Sequence, residues 1–320
     1  MGGLYMTKSY TVKKIVLSIL LTFLLLFQAV TVFAAEPAQG ESILKIDRLD
    51  VFQMPKDFRT SKDDFRVQPK DGILPSREGL DKLNISGSST FSQLEFSKML
   101  TKLPANQLIV VDLRLESHGY LNGTCVSWYG AYNGANLGKS VTEVKRLERH
   151  LLDQTMVKPV QVAKLAKDKS IASTIEMNVT KAMNEEELVT SSGVKYYRIQ
   201  CPDYVKPTDE NVDQFLSFYK MLPKDAWLHF HCHAGEGRTT VFMAMYDMLR
   251  DAQYVSYEDI MKRQYLLGGQ DIRTATSSNP WKKTVYAERA KFTEDFYEYV
   301  KQNPDLRISW TQWAKKNVAK

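Results

Sequence analysis

Cysteine is scarce in this 320-residue chain, with three in all: Cys125, Cys201 and Cys232. So few exclude a disulfide scaffold, and the odd number leaves at least one thiol free. Cys232 is the candidate, while the sequence leaves open whether Cys125 and Cys201 pair. Internal repeats and long low-complexity tracts are also lacking. Charge of one sign is not in large excess, because 43 Lys and Arg face 37 Asp and Glu for a net of +6. That mild surplus does not argue for nucleic acid, and where the basic residues sit matters more than their sum. At 43% hydrophobic and 25% charged the composition is that of a globular protein. The length suits one large domain or one domain with a smaller companion.

The N-terminus reads as a separate object. Lys8, Lys13 and Lys14 precede a charge-free apolar run from about Ile15 to Phe33, and the stretch Val32-Phe33-Ala34 offers small residues, Val32 and Ala34, at the two positions a signal peptidase reads. Residues 1–34 are expected to be a secretory signal peptide cleaved after Ala34, leaving one domain over 35–320. The alternative is an uncleaved anchor, since the run approaches the length of a membrane span. Cleavage removes three lysines and no acids, lowering the formal charge from +6 to +3. It places the mature chain in a secreted or periplasmic, extracytoplasmic setting with no membrane contact.

Residues 35–80 are polar and Pro-rich and read as an extended arm. The β-branched run at 107–113 predicts a buried parallel strand with Asp112, Arg114 and Glu116 at its end. A helix is expected over 141–152 with Thr142 as a candidate N-cap, and another after 209 with Asp209 capping it. Residues 157–180 break the strand–helix rhythm and suggest a small β-rich insert at about 155–195. Strands at 196–199 and 227–230 follow, then a helix opening at Gly237 or Arg238, and further helices at about 256–267, 283–302 and 309–317. The fold class is α/β, a mostly parallel sheet between helices.

Chemistry concentrates in residues 228–240, LHFHCHAGEGRTT. An alternating strand ends at Cys232, and five residues separate it from Arg238 at the start of a helix. In open α/β sheets ligands bind beyond the carboxyl ends of strands. The amides of His233, Ala234, Gly235, Glu236 and Gly237, together with the helix dipole, form an anion-binding nest that the two glycines allow to curl inward. Arg238 closes it with a planar fork that grips two phosphate oxygens. The same field favours the thiolate of Cys232, which lies beneath a bound phosphate for in-line attack. His229, His231 and His233 alternate and could be read as zinc ligands. The bend at Cys232 argues against that, leaving His231 to orient the loop and His229 to the core. Asp203, behind Pro202, is the candidate general acid, and Thr239 the candidate partner of the departing thiolate.

These residues resemble the protein tyrosine phosphatase superfamily. More narrowly, residues 111–123 and 225–232, with Arg263, Gln264, Gly268, Gly269 and the Trp281–Lys282 segment, resemble the bacterial tyrosine-phosphatase-like inositol polyphosphatases, the cysteine phytases. The resemblance covers about residues 50–315. It implies a tyrosine-phosphatase-like core with a small partial β-barrel insert. It also implies stepwise removal of phosphates from myo-inositol hexakisphosphate, a small polyanion, without metal or cofactor. Cys232, Arg238 and Asp203 carry the chemistry in that reading, and Arg59, Lys282, Tyr286 and Arg289 match positions that contact substrate phosphates. Lys282, Tyr286 and Arg289 share one helix face. Three departures stand out: Arg289 where lysine is expected, Asn133 where aspartate is expected, and Tyr204 where histidine is common. Glu236 is expected to point outward from the loop. A protein tyrosine phosphatase is the second reading, and oligomeric state is not specified.

Overall fold

The computed structural model describes residues 42–318; the expected signal peptide lies outside them. In chain order the strands are β1 (Ile43–Arg48), β2 (Arg59–Thr60), β3 (Ile85–Ser89), β4 (Leu108–Asp112), β5 (His118–Leu121), β6 (Thr124–Tyr129), β7 (Val160–Leu165), β8 (Ile171–Met177), β9 (Ala182–Met183), β10 (Lys195–Arg198) and β11 (Trp227–Cys232). The α-helices are α1 (Gln93–Leu100), α2 (Val141–Gln154), α3 (Glu185–Ser191), α4 (Asp209–Lys220), α5 (Gly237–Asp251), α6 (Tyr257–Leu266), α7 (Pro280–Gln302) and α8 (Trp310–Asn317).

Five strands form the sheet that carries the site, in the order β10-β4-β11-β3-β2, parallel except for β2. Strand alternation sorts the side chains between two layers. Ile109, Val111, Leu228, Phe230 and Cys232 face the core shared with α4 to α8. Leu108, Val110 and Trp227 face a second core with α1 and α3. Phe215, Phe230 and Phe242 are fully enclosed, and each such side chain contributes about 1.5–3 kcal/mol by leaving water. Burial on both faces explains why β4 reads as a continuous β-branched run.

A second sheet runs β8-β7-β1-β6-β5-β9, with β8 and β9 at its two ends. The expected insert at 155–195 is therefore only part of it. Residues 43–48 and 118–129 supply β1, β5 and β6, and β1 pairs with β6 from Ile43–Tyr129 to Arg48–Cys125. The segment expected to be an extended arm thus contributes a strand to each sheet. Two expected caps also shift. Ser140 rather than Thr142 caps α2, and Thr208 rather than Asp209 caps α4, each accepting from the backbone N–H three residues on. In both cases the hydroxyl one or two residues upstream has the extended backbone an N-cap requires.

Candidate active site

The turn from β11 into α5 is built around backbone amides. Gly235 has φ 77°, and a Cβ there would lie 2.4 Å from Ser89 N and 2.5 Å from Ser88 C, so glycine alone fits against β3. Every other described α-helix has a Ser, Thr or Asn cap accepting from its first turn, whereas α5 has no side-chain cap. The N–H groups of Ala234 to Arg238 donate no hydrogen bond among the described residues. Unpaired donors at a helix N-terminus, with the dipole behind them, favour an anion. The Glu236 side chain points to solvent, as expected.

Cys232 sits at the floor, 3% exposed, and accepts from Thr239 Oγ1 at 3.2 Å. Arg238 is fixed by Glu116, NH1 to Oε2 at 2.8 Å and NH2 to Oε1 at 3.0 Å, and NH1 also donates to the Cys201 carbonyl at 3.2 Å. Glu116 in turn accepts from Arg114 Nε at 3.0 Å, and Arg114 NH2 donates to Asp47 at 2.9 Å. Burial works against the Glu116 charge, yet Arg238 and Arg114 outweigh it and hold the carboxyl far below its ordinary range.

Asp203 shares the pocket, its Oδ1 3.3 Å from Arg238 Nε. Its Oδ1 accepts from the Tyr204 amide at 2.9 Å and its Oδ2 from Asn133 Nδ2 at 2.7 Å. Asn133, where the resemblance led us to expect an acid, is thus a donor to the candidate general acid. Tyr132 and Asn133 both take left-handed backbone, φ 53° and 57°, which aims the amide inward. Tyr132, Tyr204 and Trp281 pack together, with centroids 4.6–6.0 Å apart, and Lys282 Nζ lies 4.6 Å above the Tyr204 ring.

Two further arginines border the loop. Arg59 is completely buried, donating to the Gly235 carbonyl at 3.0 Å and to Thr240 Oγ1 at 3.3 Å. Burial lowers it to about 10. In this position it braces the loop from behind. Arg289, 3% exposed, crosses the loop mouth, where a Cβ on Gly237 would meet its NH1 at 2.5 Å. Its NH2 donates to Gln270 Oε1 at 3.1 Å, and its guanidinium stacks 4.6 Å over Tyr286. Burial lowers its affinity for the proton. Arg59, Arg238 and Arg289 each keep a buried Nε–H without a hydrogen-bond partner among the described residues. Lys282, Tyr286 and Arg289 lie on α7 as expected, with Lys282 farther out, against Tyr204.

The histidines separate. His229 lies between Ser86 Oγ at 2.9 Å and Ser88 Oγ at 3.0 Å, and burial holds it far below its ordinary value. His233 is 2.9 Å from Lys45 Nζ and 3.2 Å from Asp47 Oδ1, which ties the loop to β1. His231, expected at the catalytic centre, points to the opposite face of the sheet from Cys232, with Nε2 2.5 Å from Glu185 Oε1. The alternation of β11 forces that separation. Cys125 and Cys201 do not pair: both are free, they occupy different cores, and burial pushes each up to about 12. Lys45, Asp47, Gln270 and Glu185 were not anticipated.

A thiol under an amide nest, closed by arginine and faced by aspartate at the carboxyl end of a parallel strand, defines the cysteine-dependent phosphatase class. A family model described as PTP-like phytase, inositol hexakisphosphate, matches residues 111–250. The PTP-like phytase of Bdellovibrio bacteriovorus superposes with a TM-score of 0.68 at 32% identity, over 88% of this chain and 98% of that one. The chain belongs to the PTP-like phytase family. The PTP-like myo-inositol phosphatase of Mitsuokella multacida, solved with myo-inositol-(1,3,4,5)-tetrakisphosphate, gives a TM-score of 0.83 at 42% identity over 87% of this chain and 48% of that one. Effector protein hopD2 of Pseudomonas syringae pv. tomato is 32% identical over 254 residues, 74% of this chain and 53% of its own. The chain thus spans about half the length of these last two relatives.

Proposed function

We propose that the chain is an exported phosphomonoesterase that removes phosphates stepwise from myo-inositol polyphosphates through a phosphocysteine. The observation that carries this is the concentration of donors around Cys232. Five consecutive loop amides donate no hydrogen bond among the described residues, and the buried guanidinium groups of Arg238 and Arg289 border them. One phosphate needs only the loop and Arg238. Arg289 and Lys282, beyond it, suit a ligand that carries several anions close together.

In the proposed reaction the loop amides and Arg238 hold the scissile phosphate above Cys232. The thiolate attacks phosphorus, the bond to the inositol oxygen breaks, and protonated Asp203 gives its proton to that oxygen. Asp203, now ionised and held by Asn133 and the Tyr204 amide, takes a proton from water. The hydroxide displaces sulfur from phosphorus and releases inorganic phosphate. Thr239 Oγ1, at 3.2 Å, donates to the departing thiolate. His231 assists from behind the strand without touching the reacting atoms. Side chains and amides supply each step, so the scheme requires no metal or cofactor. Export follows from the N-terminal residues 1–34.

The test compares phosphate release from inositol hexakisphosphate with release from a phosphotyrosyl peptide. Higher kcat/KM on the inositol phosphate is expected; equal or higher efficiency on the peptide would favour a protein phosphatase. N-terminal sequencing of the extracytoplasmic protein tests cleavage after Ala34.

A further inference from the structure

We propose that Glu185 is a positioning residue for the Cys232 reaction, locking nucleophile and arginine together from the far face of the parallel sheet through His231 and His118. The proposal rests on reading residues 232–238 as the phosphatase loop.

Glu185 opens α3 and is 1% exposed, while its neighbours Glu186 and Glu187 have side chains 51% and 46% exposed and pair with Lys145 and Arg149. One acid of this run is turned inward. Among the described residues its ion-pair partners are two imidazoles: His231 Nε2 at 2.5 Å from Oε1 and His118 Nε2 at 3.3 Å from Oε2. No arginine or lysine reaches it, because Arg198 is committed to Asp112 at 3.0 Å and Glu148 at 3.0 Å.

Lone pairs at these separations would repel, so His231 Nε2 carries hydrogen. His118 is constrained twice. Its Nδ1 is 2.8 Å from the Glu116 carbonyl, and its Nε2 faces oxygens of both Asp112 and Glu185 at 3.3 Å. Both of its nitrogens therefore carry hydrogen and the ring is a cation. Both contacts to Glu185 are close ion-pair approaches of an imidazole nitrogen to a carboxylate oxygen.

Both imidazoles lead to the loop. His231 immediately precedes Cys232, and its carbonyl accepts from Leu113 N at 3.0 Å. The Leu113 carbonyl accepts from Arg238 NH1 at 3.3 Å. His118 fixes the Glu116 carbonyl, and the carboxylate of Glu116 holds Arg238. Glu185 thus bridges the strand that ends in the thiol and the segment that aims the guanidinium. Buried networks in which each member supports the others hold one geometry. A divalent cation held by Asp112, His118 and Glu185, whose donor atoms lie within 4.8 Å of one another, is the competing occupant of the same space.

The experiment uses the full chain. Glu185→Gln is expected to lower kcat on inositol hexakisphosphate about tenfold, with KM changed less than about twofold. His231→Asn is expected to do the same, and the double variant to be no worse than the poorer single, because both break one unit. Alkylation of Cys232 by iodoacetamide, which needs no substrate, is expected to slow in parallel. Wild-type kcat and alkylation in Glu185→Gln, or effects that multiply in the double variant, would overturn the proposal. Side-chain 15N NMR of the wild-type chain decides independently of how the variants fold. Hydrogen on both nitrogens of His118 and on Nε2 of His231 near neutral pH supports it; a bare Nε2 on either ring, or one bound divalent metal per chain, refutes it. A wild-type chain inactive on inositol phosphates would count against the proposed substrate, and alkylation and NMR would still decide the role of Glu185.

Discussion

Arg238 places two guanidinium nitrogens on the Glu116 carboxylate, at 2.8 and 3.0 Å, and presents its Nε 3.3 Å from Asp203. The plane of the fork is therefore set before a phosphate arrives, which lowers the ordering cost of binding. Removing the carboxylate leaves Arg238 and Arg114 short of a buried partner. Glu116→Ala is expected to cost about 3–5 kcal/mol of stability. It should also lower kcat/KM on the order of a hundredfold. Denaturant titration and steady-state kinetics check both; an unchanged kcat/KM would mean that Arg238 orients itself.

The loop geometry depends on Gly235. A Cβ at that position meets backbone atoms of β3 at 2.4–2.7 Å, and φ is 77°. Gly235→Ala is expected to abolish turnover, because backbone neighbours cannot move aside as a side chain would. Gly237→Ala meets only side-chain ends, Arg289 NH1 at 2.5 Å and Gln270 Oε1 at 3.4 Å, so it should keep partial activity with a raised KM. Equal activity in the two variants would contradict this ordering.

Asn133 donates to Asp203 Oδ2 at 2.7 Å. Catalysis in the first step needs the protonated form. Asn133→Asp puts a like charge there and is expected to shift the alkaline limb of the kcat profile upward by on the order of one pH unit. An unmoved limb would show that Asp203 is not the group titrating in it.

Stability should fall on both sides of mildly acidic pH. Asp47, Asp112 and Glu116 are held far below the ordinary carboxylate range against burial, by Lys45, by His118 and by Arg238 foremost. A depressed folded value gives stability that is present above the unfolded value and lost as pH falls. His118 is the opposite case, raised from 6.5 to about 9. Its contribution, roughly 3 kcal/mol at most, is complete below 6.5 and withdrawn as pH rises towards 9. Denaturant titrations at a series of pH values should show the alkaline decline, and His118→Gln should flatten it. A wild-type stability constant from pH 6.5 to 9 would contradict this.

The sequence exposed the site more fully than the architecture around it. Cys232, the glycines and Arg238 lie within seven residues, and the strand–turn–helix that presents them is local. The second sheet was not legible because its pairings are distant: β1 joins β6 some eighty residues away, and the polar run that contains β1 has no clear period. Glu185 was hidden for another reason. Three consecutive glutamates at a helix start read as a solvated, dipole-favoured turn, and only packing shows that the first of them faces inward. His231 was expected among the catalytic residues; the strand instead continues through Cys232, and its alternation carries the ring to the face opposite the thiol.

On the proposed function, Arg289 belongs to polyanion binding rather than to the common phosphate site. It has no carboxylate partner among the described residues and sits beside Gly237 rather than under the scissile group. Arg289→Ala is expected to raise KM for inositol hexakisphosphate by about tenfold or more. KM for a small aryl phosphate should change little. Equal losses on both substrates would place Arg289 in the common phosphate site.

Covalent catalysis by Cys232 is tested most directly by trapping. In Asp203→Asn, attack on an activated aryl phosphate proceeds while hydrolysis of the intermediate lacks its base. Rapid acid quench and mass spectrometry of the peptide containing Cys232 should show one phosphoryl group on that sulfur, absent in Cys232→Ser. Turnover by Cys232→Ser at the wild-type rate, or an Asp203→Asn enzyme that releases phosphate without ever labelling Cys232, would contradict the covalent route.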